Sequence, residues 1–151
     1  MMGYRRLFII RKDLHLSAGK LAAMVGHCAE AYWTNMIQEG SSAARQVVDS
    51  AEYYYDISFI LNGEIIDNYI NDSFVKTICE ARNKNHLLKA VQLAKDIGLK
   101  ENVDFGLIYD KCFTELEPEE EDGTTLVGIW FCPLPDEKAH ELSRKYQLYR
   151  G

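Results

Sequence analysis

Buried-strand runs alternate along this chain with stretches of helical periodicity, and few architectures accept that order. Tyr4 to Arg11 reads YRRLFIIR, a short apolar run between arginines, which fits a strand covered on both faces. Ser17 is a good N-cap. Behind it Leu21, Val25, Cys28, Ala29, Tyr32 and Met36 recur at three- and four-residue steps, predicting a helix to about Met36 with that stripe inward. Phe74 to Ala81 reads as a second strand. Asn83 or Asn85 caps a helix with Leu87, Val91, Ala94 and Ile97 inward, and Gly98 stands where a helix ends. Phe105 to Tyr109 and Thr124 to Cys132 are two further strands. Pro135 then opens a last amphipathic helix with Ala139, Leu142 and Tyr146 inward. The order predicts one α/β domain over 1–151: a three-layer α/β/α arrangement around a four-stranded, partly parallel (mixed) sheet. Ligands of such sheets gather beyond the carboxyl ends of parallel strands. Lys20 follows the first strand and Asp110 ends the third, so that rim is the expected site.

The connection over about 37–73 is less regular. Gly40-Ser41-Ser42 punctuates, Ala43 to Ala51 looks helical, and Asn62-Gly63 is a hairpin signal. Tyr53 to Leu61 suggests an irregular or short-strand segment, and a helix is expected from about Glu64 to Asp72. Tyr53, Tyr54, Tyr55, Tyr32 and Trp33 could stack bases, but their positions favour core and helix interfaces.

The net charge is −6, which argues mildly against broad nucleic-acid binding, yet the charges are segregated. Residues 1–20 sum to +4 and 75–111 to +2, whereas 21–74 sum to −7 and 112–151 to −5. If the two positive stretches meet, one face could hold a polyanion; otherwise these cations only solubilise. Cys28, Cys79, Cys112 and Cys132 are scattered without metal-ligand spacing, so they read as free thiols, with no metal site and no disulfide. Met1 to Lys20 lacks the pattern of a signal peptide, and no apolar run reaches membrane-spanning length. A soluble, cytoplasmic protein is expected.

The first long helix carries polar residues on its apolar stripe. Lys20 and His27 are seven residues apart, nearly two turns, so they point the same way roughly 10 Å apart. A first-turn lysine opposes the helix dipole, and with the free amides there it could receive an anion. The alternative is a solvated lysine beside a packed histidine. Asp110 is followed by Lys111, Cys112, Phe113 and Thr114. Its carboxylate can accept a proton from water or bind an ammonium, and Thr114 can hydrogen-bond a reacting oxygen; Asp110 could equally be a strand-end cap. His27 and Cys28 point about 100° apart on a helix, which disfavours a Cys–His dyad.

These pieces resemble a family. RKDLHLSAGKLAAMVGHCAEAYW is similar to the opening of type II peptidyl-tRNA hydrolases, with Asp13, Leu14, Gly19, Lys20, Ala22, Ala23 and His27 in step. FGLIYDKCFTELEP resembles that family's strand–Asp–x–Gly–Arg–Thr–Gln–x–x–Pro segment, with Asp110, Thr114 and Pro118 in place. TTLVGIWFCPLP resembles its closing strand. The resemblance implies a mixed four-stranded sheet flanked by helices, and cleavage of the ester joining a peptide to the tRNA 3′ end, with no metal or other cofactor. It implies an active site of Lys20, Asp110, Thr114 and Thr125, with His27 beside it, and pairing as a homodimer. This chain departs from the pattern at Met24 (Gln in the family), Gly26 (Ser), Phe113 (Arg) and Glu115 (Gln), and the connection over 37–73 is enlarged. Two other readings stay open: an idle member of the fold that binds tRNA or a protein, and an enzyme for another phosphorylated small molecule.

Overall fold

The computed structural model describes residues 3–42, 45–49 and 52–151. Strand β1 (Tyr4–Arg11) lies between two neighbours, parallel to β4 (Val75–Ala81) and antiparallel to β6 (Thr125–Phe131). Strand β5 (Phe105–Asp110) pairs antiparallel with β6 on its other side, so β5 runs in the same direction as β1. Two short strands complete the sheet: β7 (Leu134–Pro135) on β1 and β8 (Gln147–Leu148) on β4, giving six strands in place of the expected four. Two-residue strands have too few positions for a period to show, which is why the sequence hides them.

Helix α1 (Ala18–Ser42) covers one face, where Met24 and Cys28 pack with Phe8, Ile10, Val127 and Trp130. Helices α3 (Lys84–Asp96) and α4 (Asp136–Ser143) cover the other, with Leu87, Ala90, Ala94, Ala139 and Leu142 against Leu7, Ile9, Ile129 and Phe131. The three-layer architecture therefore stands. Of the two candidate caps for α3, Asn83 is the one used, its side chain accepting from His86 N at 2.8 Å.

Helix α1 runs past Met36 and through Gly40. A Cβ at Gly40 would sit 2.8 Å from the Ile57 side chain and 2.9 Å from Ser58 O. The glycine admits a neighbouring segment and does not stop the helix. The helix expected over Ala43–Ala51 is replaced by strand β2 (Arg45–Asp49), paired antiparallel with β3 (Glu52–Asp56); residues 43, 44, 50 and 51 lie outside the described residues. Alanine, arginine and glutamine had given that stretch its helical look, but the cross-strand partners lie in the tyrosine run. Tyr53, Tyr54 and Tyr55 are exposed, not core. Asn62-Gly63 makes no hairpin. Asn62 caps helix α2 (Gly63–Ile65), accepting from Glu64 N at 2.8 Å, and the helix continues as a wider π-wound stretch over Ile66–Ser73.

Arg6 departs furthest from expectation. As a cation beside an apolar run it reads as a surface charge, but it is 1% exposed. Its guanidinium donates to Phe131 O (2.7 Å), Ala29 O (3.0 Å) and Cys28 O (3.0 Å), and lies over the Phe8 and Tyr32 rings. No carboxylate pairs with it among the described residues, and burial pushes its pKa down.

Close packing between strands also fixes Gly106, whose Cβ would lie 2.5 Å from Trp130 Nε1. Trp130 is itself buried. Gly106→Ala should destabilise the fold by about 1–3 kcal/mol, read as a lower denaturant midpoint at unchanged m-value.

Candidate active site

Asp110 closes β5 and Lys20 sits in the first turn of α1, which begins just after β1. Because β1 and β5 run in the same direction, their carboxyl ends share one rim, and the two side chains meet there. Lys20 Nζ lies 2.7 Å from Asp110 Oδ1, with the side chains 16% and 8% exposed. Asp110 Oδ2 accepts from Cys112 N at 3.0 Å, which fixes the carboxylate plane. Partial burial strengthens the attraction between the charges, while the exposed fraction leaves the ammonium a path to a ligand.

The loop after Asp110 is tied down at several points. Cys112 has φ +61°, a left-handed conformation that favours glycine; it stands where the resembling segment carries Gly. Thr125 is fully buried. Its hydroxyl donates to Glu117 O (2.7 Å) and accepts from Glu119 N (3.0 Å), with Cys112 Sγ at 3.4 Å. Those bonds engage it with the loop. Arg11, also buried, reaches Glu119, Asp13 and Leu126 O. Burial opposes its charge, but the two carboxylates outweigh that and raise its pKa; Arg11 in turn holds the Glu119 carboxyl below its usual range.

Glu115 comes back to the start of α1. Its carboxylate accepts from Ser17 N (2.9 Å) and Ser17 Oγ (2.7 Å), and Ser17 Oγ accepts from Lys20 N (3.2 Å). Those bonds from Ser17 pull the Glu115 pKa down, with Lys20 adding to the shift. An internal carboxylate thus takes donors at the helix start where an outside anion was anticipated. Sequence reasoning saw Glu115 only as a departure from Gln.

Beside the ion pair a hollow of about 650 Å³ runs between α1 and the end of β5, lined among others by Met24, His27, Thr34, Asp110 and Phe113. His27 is exposed and shares this groove with Asp110. Met24 is buried in its floor, and Phe113, 84% exposed, stands at the lip. Two positions where the family carries Gln and Arg are therefore apolar here. Thr114 is exposed, and its hydroxyl has no partner among the described residues. Cys28 points into the core, where burial pushes its thiol up to about 12, so no Cys–His dyad forms with His27. No group of three or more His, Cys, Asp or Glu is placed to hold a metal among the described residues.

The N-terminal cations do not form a polyanion face. Arg6 and Arg11 are buried, Arg5 pairs with Asp136, Lys12 with Glu80 and Lys20 with Asp110. Of the second positive stretch, Lys84 pairs with Glu120 and Lys95 with Glu101.

The fold and the Lys20–Asp110 pair define a three-layer α/β protein with its candidate site at the strand ends, beside a groove. Comparison with known proteins narrows that class. The family model described as peptidyl-tRNA hydrolase PTH2 matches residues 4–149, and the chain belongs to that family. It is 28% identical over 127 residues to a peptidyl-tRNA hydrolase of Methanopyrus kandleri, covering 83% of each chain. It is 21% identical over 144 residues to one of Thermoplasma acidophilum, covering 95% of this chain and 97% of the relative.

Proposed function

We propose that this protein hydrolyses the ester joining a peptide, or an N-blocked amino acid, to the 3′ end of tRNA. The observation that carries this reading is the 2.7 Å contact of Lys20 with Asp110 beside the groove that His27 shares. In the proposed reaction, Asp110 orients a water and accepts its proton as the oxygen attacks the ester carbonyl. Lys20 has three donors and spends one on Asp110, so another can meet the developing oxyanion without breaking the pair. The bond to the ribose oxygen then breaks, and the proton passes from Asp110 to that oxygen. Thr114 has a free hydroxyl for the scissile group, and His27 lines the path of the tRNA end. Thr125 is a positioning residue here: it holds the loop that carries Thr114.

Membership of the PTH2 family supports ester hydrolysis as the activity. A cytoplasmic setting and pairing into homodimers belong to the same reading, and sedimentation of the purified protein measures the second. No helix is long and apolar enough to cross a membrane among the described residues.

The test is release of amino acid from an N-blocked aminoacyl-tRNA. Lys20→Ala should lower kcat by roughly 10²–10³-fold, the usual loss for an oxyanion donor; a rate equal to wild type removes the reading. Glu115→Gln should lower KM for the tRNA substrate several-fold, most strongly at low salt, because it deletes a negative charge beside the reaction centre. Steady-state kinetics at two ionic strengths checks this.

A further inference from the structure

A second hollow, of about 490 Å³, lies between α3 and the chain that follows α4, lined among others by Arg82, His86, Lys89, Asp96, Lys145 and Tyr146. Its floor is rigid. His86 is 8% exposed, its Nδ1 accepts from Arg82 N at 3.0 Å, and its ring stacks on Tyr146 at 4.3 Å and 16°. Tyr146 Oη donates to His86 O at 2.6 Å, closing the unit. Burial, then the Arg82 charge, lowers the His86 pKa against a hydrogen bond to the Lys145 backbone that raises it, with Lys89 adding a smaller lowering.

Unpaired surface cations are common on this molecule (Lys76, Lys100, Lys111, Lys138, Arg144 and Arg150 have no carboxylate partner among the described residues), and three more gather around this one floor. Arg5, Arg11, Lys12, Lys20, Lys84 and Lys95 all have carboxylate partners. Arg82, Lys89 and Lys145 have none among the described residues. The hollow's own carboxylate, Asp96, accepts from Gln92 Nε2 at 2.9 Å. In a chain of net charge −6, an unneutralised group of cations on a concave surface attracts anions by local potential.

Its position is also informative. Arg82 directly follows Ala81, the last residue of β4, and Ala81 lies opposite Arg11 of β1. The Arg82 end of the hollow therefore lies at the same end of the sheet as Lys20 and Asp110, on the opposite face, and the hollow runs from there along α3 to Asp96. Along the order β5-β6-β1-β4, the end of β4 is about 15 Å from the end of β5 at the usual strand spacing, and the hollow lies beyond it on the helix layer, a separation that a folded RNA spans. Glu115 stands beside the reaction centre, and Glu121 and Asp122 gather near Tyr109 at the end of β5; such charges repel a phosphate chain and favour a cationic hold elsewhere on the surface. Long, independently mobile cations suit phosphodiester oxygens, whose contacts position a nucleic acid without reading its sequence.

We propose that this hollow is a phosphate-binding subsite holding the tRNA backbone while the 3′ end lies in the groove. It rests on the hydrolase reading above. The test compares wild type with Lys89→Gln/Lys145→Gln, two exposed positions outside the reaction centre, on N-blocked aminoacyl-tRNA and on the same ester of adenosine alone. The expected result is a KM for the tRNA substrate about tenfold higher and a log KM–log salt slope shallower by about 2, one unit per lost phosphate contact, with kcat and the adenosine ester unchanged. Unchanged KM and slope, or equal effects on both substrates, overturn it. Filter binding of uncharged tRNA separates the two claims. If wild type hydrolyses neither ester, the hydrolase reading fails, yet weaker tRNA binding by the double variant still supports the subsite, and equal binding overturns it. Inorganic pyrophosphate bound in the hollow without any change in tRNA affinity also overturns it, as a small-anion site.

Discussion

Asp110→Asn should leave the fold intact and lower kcat by roughly 10²–10⁴-fold, the range for loss of a positioned general base. The amide oxygen can still accept from Cys112 N, so the strand end keeps its shape. The other face of the side chain changes sign: an NH₂ group now meets the Lys20 ammonium, donor against donor, and no group remains to take the proton of water. KM should fall, as for Glu115→Gln, because a negative charge beside the reaction centre is lost. Because Lys20 and Asp110 act as a unit, a Lys20→Ala/Asp110→Asn double variant should be scarcely slower than either single one. Single-turnover rates on N-blocked aminoacyl-tRNA measure both points. A kcat for Asp110→Asn within tenfold of wild type would remove the carboxylate from the chemistry, and fully additive losses would show that the Lys20–Asp110 contact contributes nothing to it.

The second large effect concerns stability. Arg6 runs through the protein from the sheet to α1, and Arg6→Ala removes its bonds to Phe131 O, Ala29 O and Cys28 O together with its packing on Phe8 and Tyr32. Hydrogen bonds from a charged donor are worth more than neutral ones, and truncation also leaves a cavity. The expected loss is about 3 kcal/mol or more, which for a domain of this length lowers Tm by roughly 6–12 °C. Arg6→Met is the informative companion. It keeps most of the volume and removes a charge that burial disfavours, so it should cost clearly less than alanine. If methionine is as damaging as alanine, the hydrogen bonds outweigh the packing. Thermal melts of both variants decide.

Most of the layered fold was legible because its elements are long and their periods clear. The run from Tyr4 to Arg11, the α1 stripe and the FGLIY strand each announce their type over enough residues to be read. The rule that sites lie at strand carboxyl ends then brought Lys20 and Asp110 to one rim. What stayed hidden depends on partners far away in sequence. Glu115 meets Ser17 across 98 residues, and no local pattern signals that. The strand Arg45–Asp49 has helix-favouring neighbours and is decided by pairing with the tyrosine run. Arg6 looked like a flanking charge because the sequence cannot say which arginine points inward. Gly40 and Asn62-Gly63 read locally as stop and turn signals, whereas one admits a packed segment and the other caps a helix.

The central position of β1 has a consequence for synthesis. This strand emerges from the ribosome before both neighbours, since β4 and β6 begin at residues 75 and 125. At translation rates of about 5–20 residues per second, the apolar run Leu7 to Ile10 waits on the order of 10 s for its second partner. During that interval it is a sticky, edge-exposed segment of a nascent chain. Arg5, Arg6 and Arg11 bracket it with like charges, and such gatekeepers discourage one nascent strand from zipping onto another. Once the sheet closes, Arg6 and Arg11 become buried ties and Arg5 pairs with Asp136 at the surface, so charges that keep nascent strands apart end by bracing the mature fold.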